Sequence, residues 1–236
     1  MGNSSHSLTD SLHKIKELTS YNEWIYGNIK KAVSGNVLEI GCGIGNITDF
    51  LMKDAKKVTA TDIDLSYINY AKKKYSKSGR VKVLKMDIMK PGKTIKKNYY
   101  DTAVMLNVLE HIKDDAKALR NACMALKKGG KFVILVPAVQ AIYGEMDREL
   151  GHYKRYGKKD MKSLFEGSGM KINEIFYSNF PGMFGWFISG KVMKNKKIPL
   201  NQARVFDRYV LPVVKLTESV IKPFLGQSLI VIAEKK

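Results

Sequence analysis

The chain has 236 residues, 44% hydrophobic and 27% charged, a balance that places it among ordinary globular proteins and excludes the disordered and fibrous classes. No apolar run reaches the roughly 20 residues that a membrane-crossing helix needs. Met1 to Asp10 is polar and serine-rich, without the apolar stretch of a secretory leader, so a cytoplasmic protein is expected. The formal net charge of +19 comes almost wholly from lysines spread in pairs and triplets, such as Lys72 to Lys74 and Lys127-Lys128. It reads as a solvated face, with a functional basic surface as the competing reading.

Leu12, Ile15, Leu18, Trp24, Ile25 and Ile29 form a stripe at helical spacing, interrupted near Ser20-Tyr21, which predicts a helix over Leu12 to Ile29. Val37 to Ile40 is a short buried strand running into a glycine-rich turn. A helix over Asn46 to Lys53 and a strand over Lys57 to Thr61 follow. Asp64 is placed to cap a helix through Tyr75. Val81 to Lys85 and Thr102 to Leu106 give the third and fourth strands. Asp114 to Leu126 reads as a helix that Lys127-Lys128-Gly129-Gly130 ends as a turn. Phe132 to Val136 is the fifth strand, closed by Pro137.

This alternation with short turns predicts a mainly parallel sheet with helices on both faces. Ala138 to Lys159 is a longer connection, Asp160 to Glu166 a helix, and Ile172 to Tyr177 and Ser228 to Ala233 the late strands. The intervening segment, Ser178 to Gln227, is about fifty residues long, too long for a loose loop in a compact α/β unit. It is expected to form a mostly helical, aromatic-rich cover. The expected organisation is a single domain over 1–236 with an N-terminal helical cap at 1–30, a substrate-side insertion at 138–159 and the cover at 178–227.

The strongest local signal is Glu39-Ile40-Gly41-Cys42-Gly43-Ile44-Gly45. Glycines spaced this closely after a strand let the backbone turn sharply and approach a ligand without a Cβ clash. By itself the pattern also suits a dinucleotide fold. Asp62 ends the second strand, where a carboxylate can accept from both ribose hydroxyls of a nucleoside. Asp87 follows the third strand and can accept from an adenine amino group, with Ile44 and Ile88 as apolar contacts. Cys42 and Cys123 have no metal-ligand spacing and read as buried free thiols. No metal site is read.

Val37 to Gly45, Asp62, Asp87 and Asp101 to Ile112 resemble the successive motifs of the class I S-adenosylmethionine (SAM)-dependent methyltransferases, chiefly the small-molecule and lipid group. The resemblance implies a Rossmann-like, doubly wound seven-stranded sheet with the last strand antiparallel beside the fifth. It also implies SAM as cofactor and S-adenosylhomocysteine as product. In that family the glycine turn, here Gly41, Gly43 and Gly45 with Cys42, holds the methionine part. The acid corresponding to Asp62, beside Ile63, binds ribose, and the one corresponding to Asp87, beside Ile88, binds adenine. Asn107, in Asn107-Val108-Leu109-Glu110-His111-Ile112, borders the methyl group. Glu39 is a candidate for the SAM amino group. Tyr21 and Trp24 lie at the distance from the first strand at which the family's N-terminal helix closes over the cofactor.

Methyl transfer to a hydroxyl needs a proton acceptor, and histidine is the natural one near neutral pH. His152 lies in the polar and aromatic block Glu145 to Tyr156, which resembles one found in methyltransferases of sugar and lipid-linked glycan pathways. It is the leading candidate, with His111 and Tyr153 as alternatives. Arg148 and Arg155 are placed either to bind an anionic group or to pair with nearby acids. O-methylation of a small-molecule or glycan-type acceptor, with or without an anionic group, is the leading expectation; N-methylation of a small molecule or peptide, a lipid-linked substrate and RNA methylation are the alternatives. Phe184-Gly185-Trp186-Phe187, followed by Lys191, Lys194, Lys196 and Lys197, suits weak contact with a membrane surface. No specific nucleic-acid partner is expected, and the protein is read as a monomer or homodimer.

Overall fold

A computed structural model of the chain describes residues 19–196 and 200–236; Leu12 to Leu18 of the expected first helix, with His6 and His13, lie outside them. Seven strands form one sheet: β1 (Asn36–Ile40), β2 (Lys57–Asp62), β3 (Val81–Lys85), β4 (Tyr100–Leu106), β5 (Leu126–Pro137), β6 (Met170–Ser178) and β7 (Ser228–Lys235). Their order is β3-β2-β1-β4-β5-β7-β6. β1 to β5 are parallel to their neighbours, while β7 runs antiparallel between β5 and β6. The doubly wound seven-stranded plan expected from the sequence is thus the one the chain adopts.

Side chains alternate across a strand, and this divides the core in two. Leu38, Ile40, Ala103, Met105, Phe132, Ile134 and Val231 face one side, where α4 (Asp115–Ala125) and α6 (Lys158–Phe165) pack through Leu119, Ala122, Met161 and Phe165. Val37, Val104, Val133, Leu135, Ile230 and Ile232 face the other. That side is covered by α1 (Thr19–Ile29), α2 (Thr48–Asp54), α3 (Leu65–Lys74) and α9 (Leu211–Val220), through Ile25, Ile29, Leu51, Ile68 and Leu211. Ile134 is fully buried, so truncating it to alanine should cost about 2–5 kcal/mol.

Local polar signals start the helices where expected. The Asp64 carboxylate accepts from Ser66 N at 2.7 Å at the start of α3, and Asp114 accepts from Lys117 N at 3.0 Å at the start of α4. One boundary differs from expectation. Lys127 to Gly130 does not form a terminal turn: the chain passes from α4 directly into β5, pairing Leu126 with Tyr100, then shifts register so that Lys131 pairs with Thr102. The glycines here loop out a bulge within a strand rather than end a helix.

The segment between β6 and β7 is mostly helical in its described part: α7 (Phe180–Trp186), a π-helical stretch (Phe187–Val192), α8 (Leu200–Val205), a second π-helical stretch (Phe206–Val210) and α9, with Ile221 to Gln227 an irregular lead into β7. Between β5 and α6, a short helix α5 (Glu145–Glu149) follows a 3-10 turn. Both insertions lie over the carboxyl ends of the parallel strands. There the strand order reverses between β1 and β4, the place where open α/β sheets receive ligands.

Candidate active site

The turn after β1 is held against the neighbouring strand, with Gly41 N and Cys42 N both donating to Thr61 O at 2.8 and 2.9 Å. Gly41 has φ +78°, and a Cβ built there would stand 2.1 Å from Val108 Cγ2. Only glycine satisfies both the left-handed backbone and this close approach. The turn forms one wall of a single continuous cavity of about 1020 Å³. It reaches from Asp62 and Asp87 at one end to His111, His152 and Arg155 at the other, with Trp186, Asn179 and Gln227 as part of its roof.

At the β2–β3 end the carboxylates are fixed by backbone amides. Asp62 accepts from Gly43 N at 2.8 Å and from Asp64 N at 3.0 Å, one bond to each oxygen. Each oxygen keeps a second lone pair for a ligand. Burial raises the Asp62 pKa, partly offset by these backbone bonds. Asp87 Oδ1 accepts from Met89 N at 2.8 Å, and its other oxygen is available to an amino group. Glu39 is buried and accepts from Thr48 Oγ1 at 2.6 Å. Burial pushes its pKa up to about 8; Asp62 and Asp49 add to the rise, while the Thr48 bond and Lys74 oppose it.

At the opposite end, α5 and the loop after it deliver a second polar group. His152 Nδ1 lies 2.9 Å from Asp147 Oδ1. Asp147, itself fully buried, also accepts from Arg155 Nε at 2.8 Å, Gly144 N at 3.0 Å and Trp186 Nε1 at 3.0 Å. Burial works against ionisation of Asp147, but the His152 bond, Arg155 and Trp186 together hold its carboxyl below the usual range. Arg155 also donates to Ala138 O at 2.8 Å and stacks on Trp186.

His111 meets His152 edge to face, with ring centroids 4.9 Å apart. Burial, then the neighbouring His152, lowers the His111 pKa to about 4, so its ring is neutral at pH 7. Beside the two imidazoles lies Glu110, 1% exposed, with neither carboxylate oxygen hydrogen-bonded. Burial pushes its pKa up to about 8 despite the nearby Arg155 charge.

Most residues singled out from the sequence meet in this cavity. Tyr21, Glu39, Gly41, Cys42, Gly43, Asp62, Ile63, Asp87, Ile88, Asn107, His111 and His152 all line it. Asn107 takes φ +54° directly after β4, a left-handed position that asparagine tolerates better than most residues. Three candidates are placed elsewhere. Trp24 packs into the core beside Tyr21, with ring centroids 5.7 Å apart. Gly45 acts through the turn, its carbonyl accepting from Tyr75 Oη at 3.0 Å and from Lys74 Nζ at 2.9 Å. Tyr153 is 60% exposed and outside the cavity lining. Of the two arginines, Arg155 is buried against Asp147, whereas Arg148 is an exposed partner of Glu145. The sequence reading placed Glu110 only within the motif bordering the methyl group and Trp186 only in an apolar wall, and gave neither a polar role of its own. An acid inside the apolar run Val108 to Ile112 was the one available signal for Glu110; the Trp186–Asp147 bond joins positions 39 apart and left none.

Residues 38–134 match the methyltransferase domain family model. That segment is similar to a methyltransferase domain, and the seven-stranded sheet as a whole has the fold of the class I SAM-dependent methyltransferases. It is 26% identical over 169 residues to a SAM-dependent Diels-Alderase of Talaromyces variabilis, covering 70% of this chain and 56% of that protein. It is also 26% identical over 120 residues to the ubiquinone biosynthesis O-methyltransferase of Nitrosomonas europaea, covering 50% of each. The matches thus span about half the length of these curated relatives. Among solved structures, a SAM-dependent methyltransferase from Mesorhizobium loti superposes with a TM-score of 0.59 at 16% identity, covering 86% of this chain and 93% of that one. SAM is the cofactor of this methyltransferase domain, and the cavity fits it. A Cβ would close the cradle at Gly41, and the carboxylates at the ends of β2 and β3 retain acceptor capacity toward the cavity.

Proposed function

We propose that the protein transfers the methyl group of SAM to a hydroxyl of a small-molecule or glycan-type acceptor. The observation that carries this reading is the character of the cavity end opposite Asp62 and Asp87: His111, His152 and Glu110 bring one donor atom each to within 4.8 Å of the others. A hydroxyl must lose its proton on methylation whereas a neutral amine need not, so an imidazole, that of His152, oriented by a carboxylate at this end favours oxygen over nitrogen. The likeness to a ubiquinone biosynthesis O-methyltransferase points the same way.

Bound SAM supplies an electrophilic methyl group; orientation and proton handling fall to this chain. In the proposed arrangement Asp62 holds the ribose, Asp87 the adenine amino group, and the Gly41–Gly45 turn the methionine part. His152, held in one orientation by Asp147, receives the acceptor hydroxyl. Replacing His152 with alanine should lower single-turnover methyl transfer by about 10²- to 10⁴-fold while SAM affinity stays near wild type. A parallel loss of SAM binding, or a loss below about tenfold, would refute the assignment of His152 to the acceptor.

A second reading of the acceptor, as a lipid-linked molecule met at an anionic membrane surface, is favoured by one observation. Among the described residues, twelve of the seventeen exposed large hydrophobic side chains lie between Phe184 and Phe224, including Leu216 at 72%, Val220 at 79% and Phe224 at 77% exposure. Lys191, Lys194 and Lys196 stand in the same segment. None of the described helices is long and apolar enough to cross a membrane, so contact would be with the surface. Co-sedimentation with vesicles containing phosphatidylserine, lost in a Leu216→Ser/Phe224→Ser variant, would support this reading; indifference to anionic lipid would leave an acceptor taken from water.

A further inference from the structure

We propose that Glu110, His111 and His152 form a binding site for one divalent transition-metal ion, facing the acceptor end of the SAM cavity. Where the acceptor is concerned, this rests on the methyltransferase reading; the ion site itself does not.

The first observation is electrostatic. Glu110 is 1% exposed and both of its carboxylate oxygens lack a hydrogen-bond partner. Ionised, it is a buried charge without a bonded counter-group; protonated, its hydroxyl has no acceptor. Either form is costly, and a cation between Glu110 and the two histidines satisfies the carboxylate without a proton.

The second is geometric. His152 Nε2 is 4.0 Å from Glu110 Oε1. Bonds of about 2.1 Å at tetrahedral angles set two donors about 3.4 Å apart, so this pair closes with roughly half an ångström of side-chain movement. The widest separation in the cluster is no more than 4.8 Å, which requires roughly an ångström or slightly more of rotation to close.

The third concerns the far side of the His152 imidazole. His152 Nδ1 is held by Asp147 Oδ1 at 2.9 Å, which leaves Nε2 as the nitrogen directed at Glu110. A carboxylate behind a ligating histidine fixes its tautomer and raises its basicity, as in many metal sites. Asp147 is in turn anchored by Arg155, Trp186 and Gly144. His111 packs edge to face on His152, with ring centroids 4.9 Å apart, which brings its ring into the same cluster.

Two imidazoles and one carboxylate favour ions such as Zn²⁺, Mn²⁺, Co²⁺ or Fe²⁺ over Mg²⁺ and Ca²⁺, which prefer all-oxygen sets. Three protein ligands leave coordination positions open on the cavity side, where an acceptor hydroxyl can bind. Coordination lowers the pKa of that hydroxyl. His152 would then serve as a ligand, and the acceptor would be an oxygen compound able to reach the ion with a hydroxyl or with two neighbouring oxygens.

The test uses the full, tag-free chain stripped with EDTA and titrated calorimetrically with Zn²⁺ and Mn²⁺, and with Co²⁺ followed by its visible absorption. One ion per chain is expected. Glu110→Gln should weaken binding by at least about a hundredfold, and Asp147→Asn, which alters the support of His152 without removing a ligand, by about 10- to 100-fold. The Co²⁺ spectrum is read on the wild-type chain, so the test survives if a variant fails to fold. No stoichiometric binding of Zn²⁺, Mn²⁺ or Co²⁺ at about 1 mM, or binding unchanged in both variants, overturns the site. SAM titration of the same metal-free sample separates the two readings: intact SAM affinity without ion binding refutes the ion alone. Ion binding without methyl transfer to any hydroxyl compound supports the site and refutes the hydroxyl acceptor.

Discussion

Replacing Asp62 with alanine perturbs the cofactor end of the cavity in two separable ways. The carboxylate accepts from Gly43 N at 2.8 Å and from Asp64 N at 3.0 Å, and its remaining lone pairs are the acceptors proposed for the ribose hydroxyls. Loss of a charge-assisted bond to ribose removes about 1.5–3 kcal/mol, roughly a ten- to hundredfold loss of SAM affinity. Leaving the buried Gly43 amide unsatisfied costs about a further 1–3 kcal/mol of folding stability, which lowers the melting temperature of the SAM-free protein. Asp64→Ala is the control two positions away. Its carboxylate is an exposed cap that accepts from Ser66 N at 2.7 Å, so it should cost about 1 kcal/mol of stability and leave SAM affinity unchanged. Titration calorimetry gives affinity and thermal denaturation gives stability. A folded Asp62→Ala protein with wild-type SAM affinity, or an Asp64→Ala protein that loses affinity equally, would refute the ribose assignment.

Three further outcomes are expected. Gly41→Ala combines a left-handed backbone at φ +78° with a Cβ 2.1 Å from Val108 Cγ2; it should cost about 2–5 kcal/mol in urea denaturation, and adding Val108→Ala should recover only the steric part. Glu39, whose pKa burial raises to about 8 in the fold, holds a proton in the folded state that the unfolded chain releases. Its contribution to stability is therefore present below about pH 4.5 and is lost as pH rises toward 8. The stability of the SAM-free wild type should fall relative to Glu39→Gln across that window, by up to about 1.4 kcal/mol per pH unit, and parallel pH profiles would disprove the buried protonated carboxyl. Finally, the dispersed lysines should bind DNA or RNA only loosely, with affinity dropping by orders of magnitude between about 50 and 200 mM salt; sequence-selective binding that persists at physiological salt would argue against a small-molecule acceptor.

The cofactor half of the site was legible because its signals are local. A strand, its glycine turn and the acids ending the next two strands occupy the same positions in any parallel sheet of this order, so sequence spacing alone predicts that Gly41, Asp62 and Asp87 share one cavity. The helix cap at Asp64 was legible for the same reason, since a carboxylate there meets an amide two residues on. Lys127 to Gly130 misled because two lysines and two glycines are a helix-ending signal. Whether they end a helix or bulge a strand depends on pairing with Tyr100, which no local pattern encodes. Trp24 likewise has neighbours on α1 that suit either a cofactor lid or a core, and only the packing of α1 on the sheet chose the core.

What the sequence determined by itself was the order of strands and helices and the glycine turn with its acids, set by short-range periodicity and backbone chemistry. The tertiary structure alone decided how the acceptor end is built. His152 is oriented by Asp147, Asp147 is anchored by Trp186 from the late cover and by Arg155, and Glu110 is stranded beside both imidazoles without a hydrogen bond. The physical reason is that burial and hydrogen-bond satisfaction are properties of the closed cavity. Glu110 occupies a short turn with no hydrophobic period to reveal which way it faces, and its environment exists only once the cover, the insertion and the β4 turn meet.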